Sequence, residues 1–278
     1  MTSGLEEVFD ADATHVWTGR APDAAAPPDT GVLSPDELRR MRALPPGPAA
    51  AYAHTHIAVH RILGRYLSRP PGSVVLGRAV CPGCGSTGHG PPVVRTPATR
   101  LTFNLSRSET HWLLAVAADR RVGADIQHEL PDARPDLASM AAVCFAAAEL
   151  AGFPPPGHGE NADARSAYFY RAWTRKEAVA KALGVGLAAD LTAIAIAPGA
   201  TGPVQVRAAA GPGQAGTLWQ VRDVPMAGRV FAAVAHEAAA TGPVRLLTMA
   251  PGCPGESLDI PGEDRRGLPV ARTGHRDR

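Results

Sequence analysis

The segment from Ala167 to Leu187, AYFYRAWTRKEAVAKALGVGL, constrains the fold of this chain more than any other. At the helical turn angle Tyr168, Val179, Ala172, Leu183, Phe169, Ala180 and Trp173 share one broad apolar arc, which must be covered by a facing layer. Gly184 and Gly186 supply the stop signal, since glycine tolerates the left-handed turn that closes a helix. Glu177 and Lys181 are four residues apart and therefore neighbours, just beyond the Trp173 edge of the arc. A carboxylate and an ammonium in that place are either a surface ion pair, worth only about 0.2–0.5 kcal/mol, or part of a reaction centre. The helix alone favours the ion pair.

The remaining elements follow from local signals. Ala13 to Trp17 is a strand candidate. Ser34-Pro35-Asp36-Glu37 is a helix start, with Ser at the N-cap, Pro at the first helical position and Glu three residues on. A second helix is expected over 49–67, and strands over 74–80, 92–94 and 101–105, the last with alternating apolar residues. Strands at 112–117 and 122–127, joined by a short polar turn, predict an antiparallel hairpin. Helix is expected over 138–150, a connection over 153–164, and strands over 191–197, 203–208, 216–221, 229–235 and 245–249. The pattern reads as α+β in two halves, 1–120 and 121–250, followed by a Gly/Pro/Asp/Arg-rich tail over 251–278 with little to bury, expected to be disordered.

A chain of 278 residues with 45% hydrophobic content can bury a real core, and a net charge of +2 gives no bulk field for nucleic acid or a membrane surface. No apolar stretch reaches membrane-spanning length and no secretory leader is visible, so the expected location is the cytoplasm, with reduced thiols. Lysine is almost absent; arginine carries the positive charge.

Several constellations carry candidate chemistry. Asp125 sits among Val122, Gly123, Ala124 and Ile126, where a carboxylate must be paired, hydrogen-bonded or on a metal. Gln127 points to the same face, and together they offer oxygen ligands suited to Mg²⁺. A strand-end cap or an arginine partner would explain Asp125 equally. Ser106-Arg107-Ser108 closes a strand with two hydroxyls and a guanidinium, which can hold a phosphate or simply make a turn. Arg61 and Arg65 lie four apart on one helix and read as an anion site or, by default, a solvated face. Cys81, Cys84 and His89 resemble half of a zinc site; with no fourth ligand evident, plain loop cysteines are the preferred reading. P-loop, GxGxxG, HExxH and GxSxG patterns are absent.

VGADIQ at 122–127 and WTRKEAVAKALGVGL at 173–187, with FNLSRS at 103–108 upstream and GRYL at 64–67, resemble the motifs of the Sfp-type 4′-phosphopantetheinyl transferases in order and spacing, over roughly residues 12–249. The resemblance implies a pseudo-twofold pair of similar α+β halves with the active site in the cleft between them. It implies a monomer that transfers 4′-phosphopantetheine from coenzyme A to a serine of an apo acyl or peptidyl carrier protein, with Mg²⁺, releasing 3′,5′-ADP. The service implied is polyketide or nonribosomal-peptide biosynthesis; the alternative is a weak or non-catalytic relative that binds coenzyme A or a carrier protein. By the same resemblance Asp125, Gln127 and Glu177 are metal ligands, Glu177 is the base for the incoming serine, and Lys181 faces the leaving phosphate. Ser106, Arg107, Lys176, Arg61, Arg65 and His89 are placed near coenzyme A, and Trp173 shapes the site. The chain departs from the family pattern at Gln127, where a second acid is usual, at Arg107, where a histidine is usual, and at Pro91, where a basic residue is usual.

Overall fold

A computed structural model describes residues 12–22, 29–130, 135–157, 159–211 and 213–249. The expectation for the 251–278 tail lies outside these residues. In chain order the elements are β1 (Thr14–Arg20), α1 (Pro35–Arg42), α2 (Pro46–Tyr66), β2 (Val75–Arg78), β3 (Pro92–Thr96), β4 (Leu101–Ser108), β5 (His111–Ala118), β6 (Val122–His128), α3 (Leu137–Cys144), α4 (Ala147–Ala151), α5 (Glu160–Ala182), β7 (Val204–Ala208), β8 (Thr217–Asp223), β9 (Val230–Glu237) and β10 (Val244–Thr248). The start of α1 is built as its sequence indicates. The Ser34 hydroxyl accepts from the Glu37 amide, and the Glu37 carboxylate accepts from the Ser34 amide at 2.9 Å.

Two four-stranded sheets, β10-β1-β5-β4 and β6-β9-β8-β7, form the middle of the molecule, with β2-β3 a separate ribbon. Leu113, Ala115 and Ala117 of β5 pack on Ala124 and Ile126 of β6 and on Ala232 and Val234 of β9, so the two sheets share an apolar layer. The alternate residues of β5, Trp112, Leu114 and Val116, face Val59, Ile62 and Leu63 of α2. On the far side α5 covers the second sheet, with Phe169, Ala172, Val179 and Leu183 against Trp219, Val221, Ala233 and Ala235. The period-2 alternation of each strand thus feeds two different cores.

Four local expectations are corrected. First, β5 and β6 form no hairpin. Both edges of β5 are occupied, by β1 and by β4, so the chain turns at Asp119 (φ 52°) and crosses to the other sheet, where β6 pairs antiparallel with β9. Second, the 138–150 helix is two, α3 and α4, interrupted at Phe145, whose extended backbone (ψ 141°) sends its ring into the core. Third, α5 begins at Glu160, well before Ala167, and ends at Ala182, with Gly184 at φ 82° just beyond. Fourth, 191–197 is not a strand: Leu191–Ala193 is a single 3-10 turn capped by Asp190. In addition β10 leaves the second half and pairs parallel to β1, so the 121–250 segment contributes a strand to the first sheet.

Candidate active site

The site grows from a seam between two edge strands. β4 ends the first sheet and β6 the second. An edge strand leaves every other amide without a ladder partner. Here three alternate side chains of β4 supply the partners. Asn104 Oδ1 accepts from Ala124 N–H (3.1 Å), Ser106 Oγ from Ile126 N–H (3.3 Å), and Ser108 Oγ from His128 N–H (2.9 Å). The FNLSRS segment therefore joins the sheets through side chains at a fixed register, and that register brings Ser106 beside Asp125.

Asp125 points from β6 toward α5, and Gly123, two residues earlier on the same face, sets how close that helix comes. A Cβ at Gly123 would stand 2.0 Å from the carbonyl oxygen of Ala178 and 2.4 Å from the amide nitrogen of Ala182. Backbone contact at this distance admits only glycine. Glu177 and Lys181 each precede one of these two contact residues, so the glycine holds both side chains at Asp125.

The resulting cluster is buried and charged. Lys181 Nζ lies 2.5 Å from Asp125 Oδ1 and 2.9 Å from Ser106 Oγ. Ser106 donates to the same Asp125 oxygen at 2.9 Å, and Gln127 Nε2 donates to Asp125 Oδ2 at 3.2 Å. Glu177 is 2% exposed, and its Oε1 has no hydrogen-bond partner. Burial, and next the Asp125 charge, push its carboxyl up to about 7 against the opposing pull of Lys181. A buried carboxylate oxygen without a donor is costly. Beside a second carboxylate and an amide it completes an all-oxygen set that suits Mg²⁺ and not a soft metal. The residues fit that ion: Asp125 and Glu177 offer carboxylate oxygens, and Gln127 would offer its amide oxygen with the side-chain amide turned from the orientation that faces Asp125.

Other expected site residues stand elsewhere. Lys176 is fully buried, and its three ammonium protons go to Glu149 Oε2 (2.7 Å), Leu191 O (2.9 Å) and Ile194 O (2.6 Å). No donor remains for a phosphate, so the coenzyme role expected for Lys176 is corrected to an anchor between α5 and the 191–194 turn. Ser106 is likewise saturated. Its one proton goes to Asp125 and its lone pairs take Ile126 N–H and Lys181, which makes it a positioning group and not a direct phosphate ligand. Arg61 and Arg65 line a groove of about 490 Å³ with Arg69 and Pro70 at the end of α2. His89 bonds Cys84 Sγ at 3.1 Å in the β2–β3 loop.

Arg107 is exposed at the end of β4, next to Ser106. Its guanidinium lies over the Tyr52 ring (4.9 Å), Tyr52 stacks on His56 (4.0 Å), and His56 Nδ1 bonds Glu37 at 2.9 Å. Glu37 also binds His60 at 3.0 Å; despite its burial, these bonds hold its carboxyl well below the usual range. The capping residue of α1 is thus the far end of a chain that positions Arg107, an arrangement with no local sequence signal. Arg175 and Glu149 were also not singled out. Arg175 is buried and binds Asp223 through two 2.7 Å contacts, and Glu149 accepts from Ile196 N–H, Ala146 N–H and Lys176. The only available sign for Glu149 was one acid within an alanine-rich run.

Comparison with known proteins agrees with this geometry. Residues 121–235, which carry β6, α5 and the second sheet through most of β9, match the 4′-phosphopantetheinyl transferase superfamily. Over 207 residues the chain is 30% identical to 4′-phosphopantetheinyl transferase HetI of Nostoc sp., covering 72% of this chain and 80% of that protein. Asp125, Glu177 and Lys181 all fall inside the matched region, and the chain belongs to the 4′-phosphopantetheinyl transferase superfamily and is a 4′-phosphopantetheinyl transferase.

Proposed function

We propose that this transferase moves phosphopantetheine from coenzyme A to a serine of an apo acyl or peptidyl carrier protein of polyketide or nonribosomal-peptide assembly, with Asp125, Glu177 and Gln127 holding Mg²⁺. The observation that carries the site assignment is the buried, partnerless Oε1 of Glu177 beside Asp125 and Lys181. When bound, the ion neutralises pyrophosphate charge, which phosphoryl transfer needs more than covalent help.

The chain's own residues do the rest. Glu177 accepts the proton of the incoming serine hydroxyl. The serine oxygen bonds to the β-phosphorus as the bond from that phosphorus to the bridging oxygen breaks, and 3′,5′-ADP departs with the bridging oxygen. Lys181 donates to the charge that develops there. Ser106 holds Lys181 and Asp125 in register, and Arg107 binds a phosphate of coenzyme A bidentately. The two sheets with their covering helices are the two α+β halves of the proposed pseudo-twofold architecture, with the β4–β6 seam as the cleft.

Mass spectrometry of apo carrier proteins incubated with the enzyme, coenzyme A and Mg²⁺ tests this reading. A phosphopantetheine adduct is expected on at least one acyl or peptidyl carrier, and none with Asp125→Asn. Absence of adduct on every carrier, with coenzyme A still bound, would refute it in favour of a binding protein.

A further inference from the structure

The β2–β3 loop, residues 79–91, packs against the end of the helix that carries the reaction centre. A Cβ at Gly83 would meet Val185 Cγ1 at 2.9 Å and Ala210 O at 3.3 Å, and one at Gly184 would meet Pro82 at 3.2 Å. Cys81 is 1% exposed and belongs to the same apolar cluster as Leu183 and Val185. The loop is otherwise short of internal support: no helix or strand lies within it.

What the loop does possess is a tight turn around one sulfur. Cys81 N–H donates to Ser86 O (2.8 Å), Gly85 N–H donates to Cys81 O (2.9 Å), and Gly85 has φ 74°. The positive φ of Gly85 lets the chain curl so that Cys84 Sγ returns to the side of Cys81 Sγ. His89 Nε2 stands 3.1 Å from Cys84 Sγ, and the donor atoms of Cys81, Cys84 and His89 all lie within 4.8 Å of one another. Around a tetrahedral zinc, bonds of about 2.3 Å to sulfur and about 2.0 Å to nitrogen separate a sulfur from a nitrogen by about 3.5 Å and two sulfurs by about 3.8 Å. The 3.1 Å contact and the 4.8 Å limit on the other two separations are within reach of those values.

The geometry points to a zinc site formed by Cys81, Cys84 and His89, distinct from the carboxylate cluster and structural in purpose. Two thiolates and an imidazole are soft donors that select Zn²⁺ and reject Mg²⁺, the reverse of the Asp125–Glu177 set. Three protein donors converge among the described residues. The ion ties the two ends of the loop together and presents Pro82 and Gly83 as a rigid pad for Gly184 and Val185, a few residues past Lys181. On this proposal His89 serves the loop and not the coenzyme, and Cys81 and Cys84 are ligands and not plain loop cysteines.

Elemental analysis of untagged protein, expressed with zinc and purified without chelator, tests it. About one zinc per chain is expected. The count should fall below about a fifth of that in Cys84→Ser and His89→Ala, but stay unchanged in Asp125→Asn and Glu177→Gln. Cobalt-substituted wild type should show thiolate-to-cobalt charge transfer and tetrahedral d–d bands, lost in Cys84→Ser. Protein without zinc after incubation with a stoichiometric amount, a Cys81–Cys84 disulfide found by mass spectrometry, or zinc lost with Asp125→Asn and retained in His89→Ala would each overturn the assignment. Zinc content and cobalt spectra are read without carrier protein, so a failed transfer assay leaves this result standing.

Discussion

Glu177 stores a pH-dependent strain whose size can be worked from its surroundings. Its carboxyl rises from 4.5 to about 7 through burial first and the neighbouring Asp125 charge second, with Lys181 opposing. A raised folded-state value means the folded protein holds the proton more tightly than the unfolded chain. Stability from the neutral form is fully present below pH 4.5 and is lost as pH rises through 7. At about 1.4 kcal/mol per unit, the metal-free protein gives up about 3 kcal/mol over that window. Glu177→Gln keeps the shape and removes the charge. Urea unfolding in chelator at pH 5 and pH 8 should find the variant gaining on wild type by about 2–3 kcal/mol between the two. Adding Mg²⁺ at pH 8 should stabilise wild type by up to about 2.7 kcal/mol at a hundred times the dissociation constant, and the variant much less. A gap between the two proteins that is the same at both pH values, or a variant stabilised by Mg²⁺ as much as wild type, would refute the placement of an ionisable, metal-seeking carboxyl at this position.

Gly123→Ala should cost more than about 3 kcal/mol or prevent folding, because its Cβ meets α5 backbone that cannot turn aside; denaturation midpoints and soluble yield measure it, and a near-wild-type variant would mean α5 is not seated as described. The two lysines of the chain should part company on mutation. Lys176→Met leaves buried Glu149 unpaired and should lose about 3–5 kcal/mol of stability. Lys181→Met should stay folded while kcat drops about 10²–10³-fold, read by unfolding and by carrier modification. Amine-reactive labelling with peptide mapping should modify Lys181, whose side chain is 24% exposed, and spare Lys176 at 0%, with coenzyme A and Mg²⁺ protecting Lys181; equal labelling of both would contradict the anchoring of Lys176.

Much of this architecture was legible from residue order because the strands are short apolar runs bounded by turn residues, Leu101 to Leu105 alternates, and α1 carries its start signals in four consecutive residues. Glu177 and Lys181 became a candidate site only through the resemblance of the two motifs and their spacing, and the structure brings Lys181 to Asp125 at 2.5 Å. The failures share one cause: partners chosen at long range. The β5–β6 hairpin was indistinguishable locally from the β4–β5 hairpin that does form, since nothing in either turn reports that β1 occupies the remaining edge of β5. Lys176 looks like a site cation beside Glu177, yet one residue is 100° of helix, which turns it away from Asp125 and into Glu149. Gly123 did carry a usable sign, since a glycine inside a strand marks a close backbone approach. The identity of what approaches it came only from the packed structure.

The parallel pairing of β1 with β10 has a bearing on how the chain is made. β1 is among the first described segments to leave a ribosome, and one of its edges stays open until Val244–Thr248 emerges. Until then the first sheet has three of its four strands, β1 offers bare amides and carbonyls to any passing strand, and Leu247 is missing from the core beneath α2. Residues 12–120 are therefore not a self-sufficient folding unit, whatever their share of the sheets. Closure of this long-range contact comes last, slows the final collapse, and makes the two sheets mature together. Arg107 on β4 and Glu177 on α5, the residues proposed for the coenzyme and the metal, are consequently set in place in the same event.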